Sequence, residues 1–168
     1  MAYREEMVKK RVSVANVLIT LAAYFLALTV GGLLFILTIR FASFSILIPV
    51  GLLYLAYKLT SRMKKEFEYI VTDDMIDIDV IMNRSKRKRL MEFNLSQTEI
   101  IAPVKSEEYA RFARQSFSKK IDASAGNKEK MYFAVVEKNG KNIVYFEPSH
   151  NMLAELQRYA RSKIHIQE

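Results

Sequence analysis

The sequence predicts an α+β chain. An N-terminal helical hairpin of membrane-spanning character is followed by a bent antiparallel sheet or partial barrel of about seven strands, closed by a C-terminal capping helix. Three observations predict it. An uncharged run of about 28 residues, Val12 to Ile39, is followed after Arg40 by another of about 17, Phe41 to Tyr57, and about 20 apolar residues suffice to cross a bilayer as a helix. From Glu66 onward the apolar residues alternate with polar ones, the period of half-buried strands. The last stretch returns to helical spacing, with Met152, Leu153, Leu156, Tyr159, Ala160 and Ile164 on one stripe.

The first 11 residues are expected as a cytoplasmic segment. In "MAYREEMVKK" the pairs Glu5–Lys9 and Glu6–Lys10 have the favourable i,i+4 order, which predicts a short interfacial helix. Residues 12–60 form the predicted hairpin, with spans of about 12–39 and 41–60 and a tight turn at Arg40. A cleaved signal peptide fits poorly, because the apolar region is too long and a second apolar run follows at once. One long helix would hold Arg40 at bilayer depth, at high cost. Gly31, Gly32 and Gly51 are small enough for close helix approach, and Pro49 is expected to kink the second span.

Charge sets the expected orientation. Lys9, Lys10 and Arg11 precede the first span, and Lys58, Arg62, Lys64 and Lys65 follow the second. The connecting turn has Arg40 alone, so both termini are expected in the cytoplasm of a multi-pass protein of the bacterial cell membrane. No acidic residue lies within either apolar run, which argues against proton- or cation-coupled transport.

Residues 61–168 are expected as one cytoplasmic domain. "EFEYIVT" and "MIDIDVIM" alternate cleanly, with "TDD" as the turn between them; Ile76, Ile78, Val80 and Met82 face one way, and Asp77 and Asp79 the other, towards solvent. "KRLMEFNL", "TEIIAPV", "KKIDAS", "MYFAVVEK" and "KNIVYFE" complete the seven strands, and "SEEYARFARQSF" reads as a connecting helix. Asn139-Gly140 suits a type I′ hairpin turn, and Ser149 is an N-cap for the last helix.

The stretch "EYIVTDDMIDIDVIMNRSKRKRLMEFNLSQTEII" resembles the opening of bacterial PH-like domains: strand, tight turn, strand, basic hairpin, strand. The whole chain, with its late Phe146, Glu147, Pro148, Met152, Leu153 and Leu156, resembles an uncharacterised Firmicutes membrane-protein family, a domain of unknown function with two spans and a PH-like cytoplasmic domain. The resemblance implies a fold and a location. It implies no catalytic residue.

The residues themselves point away from catalysis. There is no cysteine, so disulfides, thiolate metal sites and a cysteine nucleophile are excluded. His150 and His165 lack metal-ligand spacing, and no phosphate-binding glycine motif or nucleophile elbow occurs. No cofactor, metal or catalytic site is expected, and the chain is read as a non-enzyme.

The distinctive feature is "NRSKRKR", Asn83 to Arg89. The chain holds 26 Lys and Arg against 18 Asp and Glu, but from Glu66 onward the balance is 17 to 16. That is not the generally basic globule that coats nucleic acid, and no nucleic acid partner is expected. Two readings stay open: a solvated turn whose charges guard apolar strands, or a contact with anionic lipid headgroups through Arg62, Lys64, Lys65, Arg84, Lys86, Arg87, Lys88 and Arg89. The expected function is therefore a membrane-anchored interaction module that binds anionic lipid or a protein partner. The alternatives are an accessory or regulatory subunit of a larger membrane complex such as a transporter, and a membrane-bound enzyme with an unrecognised site. A homo-oligomer or a membrane-protein partner is expected, since two helices alone pack few of their faces.

Overall fold

The computed structural model describes residues 3–40, 44–61 and 64–166. The chain divides into two compact units, one of residues 12–64 and one that joins residues 1–11 to 65–168.

The first unit is helical. α1 spans Val14–Thr38, with Ser13 as N-cap, its side chain accepting from the Ala15 N–H. α2 spans Leu47–Ser61. α1 is long and apolar enough to cross a membrane; α2 is apolar but shorter. The start of the expected second span, residues 41–43, lies outside the described residues. The two helices pack on each other through small residues, and a Cβ on Gly31 would stand 2.9 Å from Pro49 Cα. Gly32 and Gly51 face open space, so only one of the three expected glycines permits a close approach. Pro49 does not kink the helix. It lies in the first turn of α2, where its missing N–H has no intrahelical acceptor to lose.

The second unit is built of strands. β1 (Tyr3–Lys9), β2 (Lys65–Thr72), β3 (Met75–Met82) and β4 (Lys86–Asn94) form one antiparallel sheet in that order. β5 (Thr98–Pro103), β7 (Tyr132–Glu137), β8 (Lys141–Phe146) and β6 (Lys119–Asp122) form the second. The described residues thus hold eight strands, one more than expected. The extra strand is β1, in place of the predicted interfacial helix. Its i,i+4 ion pairs contribute only about 0.2–0.5 kcal/mol each to a helix. Pairing with β2 along seven residues, from Tyr3 opposite Thr72 to Lys9 opposite Glu66, satisfies the backbone and packs Val8 on the core. Residues 3–9 therefore belong to the sheet domain rather than to a separate segment.

A second difference concerns β6, which joins β8 in parallel while the other pairings are antiparallel. The sheet faces pack on one core that includes Phe67, Tyr69, Val71, Ile76, Ile78, Phe93, Val144 and Phe146. α4 (His150–Ala160) closes it with Met152, Leu153 and Leu156. Ser149 caps α4 as expected, accepting from the Met152 N–H. α3 (Glu107–Ala113) covers the other face of the second sheet, placing Phe112 and Tyr109 on Phe133.

The turns follow their residues. Asn139 and Gly140 both take positive φ (53° and 106°) in the β7–β8 hairpin. Asn83 and Arg84 do the same in the β3–β4 turn (51° and 54°), and Asp73 (φ 53°) turns the chain between β2 and β3.

Candidate functional site

The sheet register gathers the basic residues at one end of the first sheet. Lys9 lies opposite Glu66, and Lys65 lies opposite Met82, the last residue before the turn that contains Arg84. Lys86 pairs with Met82 across that turn. At this same end the chain leaves the sheet domain twice, after Arg11 and before Lys65. The Lys10 N–H donates to the Lys65 carbonyl at 3.0 Å, which binds the two exits together. The Arg11 N–H donates to the Ala125 carbonyl at 2.9 Å, and Lys10 Nζ reaches Asp122 at 3.5 Å.

β4 then sorts its four consecutive cations by face. Arg87 and Arg89 lie on the outer face and are engaged. Arg87 pairs with Glu68 and, at 3.4 Å, with Asp79. Arg89 pairs with Asp77 at 3.1 Å, with Asp79 at 3.4 Å and with Glu92. The result is a ladder across three strands. Glu68 and Asp79 are only 2% and 4% exposed.

The expectation that Asp77 and Asp79 form a solvated face is therefore overturned. β3 is an inner strand, and the long guanidinium side chains of its neighbour lie across both carboxylates. Burial pushes the Asp77 carboxyl above its usual range, and the facing Arg89 offsets only part of that. Arg89 is itself held in its charged form, first by Asp77 and then by Asp79 and Glu92. The two shifts pull in opposite senses on one pair. The cause is that Asp77 loses water whereas the Arg89 guanidinium keeps much of its own.

Lys86 and Lys88 are different. They stand opposite Met82 and Val80 on the other face of the strand, and both are exposed. Among the described residues neither has an ion-pair partner. Arg84 is 80% exposed and reaches Glu66 only at 3.8 Å, a pair that contributes little in water. Lys64 and Lys65 are exposed. Arg62 lies outside the described residues. Of the eight residues expected to contact lipid, the structure thus commits Arg87 and Arg89 to an internal ladder. It leaves Lys65, Arg84, Lys86 and Lys88 at one end of the sheet, and adds Lys9, which sequence reasoning had not included.

The ladder had a signal in the sequence. Glu66 and Glu68 alternate in one strand, Asp77 and Asp79 in the next, and Arg87 and Arg89 in the third. Strand alternation puts each set on one face. Reading the three strands side by side would have predicted an acid–acid–base ladder.

A buried tyrosine pins the domain's far contacts. Tyr69 donates to the Ala123 carbonyl at 2.5 Å and accepts from the Glu147 N–H at 3.2 Å. Burial raises its pKa well beyond the usual tyrosine range, so it stays a neutral strut. Glu6 of β1 accepts from the N–H and hydroxyl of Ser149, which ties β1 to the start of α4. His165 Nδ1 lies 3.0 Å from Glu108.

The family model described as Bacterial PH-like domain (DUF6106) matches residues 2–166. The chain belongs to this family. The match takes in the helical unit as well as both sheets, and the family is one of unknown function. No curated protein and no solved structure matches the chain. Membership in the PH-like family agrees with the strand-rich domain and closing helix expected from the sequence, although the strands form two four-stranded sheets rather than one bent antiparallel sheet or partial barrel, and it is consistent with an interaction module.

Proposed function

We propose that the protein is a two-pass, membrane-anchored PH-like module of the cytoplasmic face, whose domain is held at an anionic lipid surface and binds rather than transforms its ligand. The pairing of β1 with β2 carries this reading. Residues before the apolar segment and residues after it are neighbours in one folded sheet, so they lie on the same side of any membrane. A segment with both ends on one side crosses an even number of times. α1 spans about 37 Å at 1.5 Å per residue, enough for about 30 Å of hydrocarbon. A crossing by α1 therefore requires a return through the residues that follow. α2 supplies about 22 Å of that return.

The charges support the cytoplasmic side. Lys9, Lys10, Arg11, Lys58, Lys64 and Lys65 flank the apolar segment, and Arg40 alone occupies its turn. Lys9, Lys65, Arg84, Lys86 and Lys88 lie at the end of the first sheet from which the chain leaves the sheet domain, and Lys64 directly precedes that sheet. Each contributes about 1 kcal/mol near an anionic leaflet, and less where salt screens it. Arg87 and Arg89 are left out of this set because their charge is already matched.

The chain's lack of cysteine makes the test clean. Single cysteines replace Arg40 in the turn and Ser96 in the sheet domain. Arg40→Cys should react with an impermeant thiol reagent from outside intact cells, and Ser96→Cys only after permeabilisation. Labelling of both from the same side would sink the two-pass reading. A spin label at Ser85→Cys in nanodiscs should lose mobility when phosphatidylcholine is partly replaced by phosphatidylglycerol. That loss should vanish in high salt and in Lys86→Ser/Lys88→Ser; an unchanged spectrum in anionic lipid rules out the headgroup contact.

A further inference from the structure

We propose that the free half of β4, Lys86–Leu90, is a docking edge for an extended acidic segment of a partner protein, which adds to the first sheet as a fifth strand. The inference goes beyond lipid contact and does not depend on it.

β4 is the last strand of its sheet, so one long side of its backbone has no strand beside it. Two other sheet edges carry contacts of their own. Along β5, Ile101 bridges Ile164 and its carbonyl accepts the His165 N–H at 2.9 Å. β1 is tied to its surroundings by Lys10–Asp122 and by Glu6–Ser149. On β4 the far end is occupied: Lys138 Nζ donates to the Glu92 carbonyl at 2.6 Å, and the Asn94 N–H donates to Gln97 Oε1. Among the described residues, nothing but the ladder to β3 engages the backbone of Lys86–Leu90. Five residues offer about 17 Å of edge, a usual length for strand addition.

Charge decides the occupant. Lys86, Arg87, Lys88 and Arg89 follow one another on this edge. A second copy pairing through the same edge would set cations against cations, the device by which lysine-rich edges prevent self-association. An incoming strand must therefore be acidic. The ladder refines the pattern further. On the outer face Arg87 and Arg89 already have Glu68, Asp77, Asp79 and Glu92, so further acids there would be in excess. On the other face Lys86 and Lys88 have no acidic partner among the described residues. The fitting sequence has carboxylates two residues apart, with neutral side chains between them, so that two acids face Lys86 and Lys88.

The test uses the full chain in nanodiscs of phosphatidylcholine alone, so that no anionic headgroup competes. The probe is a fluorescent synthetic peptide of about eight residues that alternates Glu and Thr. Binding is read by anisotropy, and the site by hydrogen exchange of the β4 amides. The expected result is saturable binding with slowed exchange in Lys86–Leu90. Lys86→Ser/Lys88→Ser should weaken it about tenfold. Peptides N-methylated at alternate amides, one for each register, should show that one register binds far less tightly than the unmodified probe. Absence of binding at low salt overturns the proposal. So does equal binding by both methylated peptides, which would mean charge attraction without strand pairing. Slowed exchange elsewhere, with none in β4, overturns it as well. The methylation comparison uses the unaltered protein, so misfolding of the double variant does not affect it.

Discussion

Replacing Arg87 with methionine removes the only ion-pair partner, among the described residues, of a carboxylate that is nearly out of water. The side chain of Glu68 is 3% exposed, and that of Arg87 is 51% exposed. Breaking a fully buried pair costs about 3–5 kcal/mol, because one charge is left uncompensated. Arg87 is half in water, so solvent already screens the pair, and about 2 kcal/mol is the appropriate figure. Asp79 keeps Arg89 at 3.4 Å and adds little to the loss. For a domain of roughly 100 residues, about 2 kcal/mol lowers Tm by about 10 °C. The assay is thermal unfolding of the full chain in detergent, followed by near-ultraviolet circular dichroism of its tyrosines. Quickened hydrogen exchange in β2 and β3 locates the effect. Combining Arg87→Met with Glu68→Gln should recover about half the loss, since no charge is then stranded. An Arg87→Met variant within about 0.5 kcal/mol of the parent would refute the reasoning. Arg87 would then be a solvated cation, and it would return to the set able to touch headgroups.

Other outcomes follow from the same contacts. Burial raises the Asp122 pKa, but the hydroxyl and N–H of Ser124 and the Lys10 ammonium outweigh it, so the carboxyl lies below its usual range. A depressed carboxylate contributes stability above the unfolded pKa, about 3.9, and loses it as pH falls through the folded value. Asp122→Asn should therefore lower Tm at pH 7 and make little difference near pH 2, and a loss of equal size at both would contradict the assignment. Gly31→Val drives a methyl-bearing Cβ into Pro49 and should cost about 1–3 kcal/mol in unfolding of the helical unit in detergent. Gly32→Val meets open space and serves as the control that should change little. Ser149→Ala removes both the α4 cap and a bond to Glu6. It should cost about 1 kcal/mol by chemical denaturation and quicken exchange at the first turn of α4.

The sequence by itself determined the local elements. Alternation from Glu66 onward specified strands because side chains on a strand face opposite sides in turn, and the uncharged runs specified apolar helices. Asn139-Gly140 and Ser149 announced their turn and cap through their own backbone preferences. What the sequence did not yield on inspection all involves distant partners. β1 reads locally as a helix with two good ion pairs, and only β2, across an intervening 55 residues from Lys10 to Lys64, makes it a strand. β6 joins β8 in parallel at the edge of the second sheet, beside a strand some twenty residues further along the chain. The basic block is a single run in sequence. The pleat divides it into two arginines turned onto buried acids and two lysines turned away from them. Charge can be counted in one dimension, whereas whether a charge is matched depends on register between strands, and only the tertiary structure decides that.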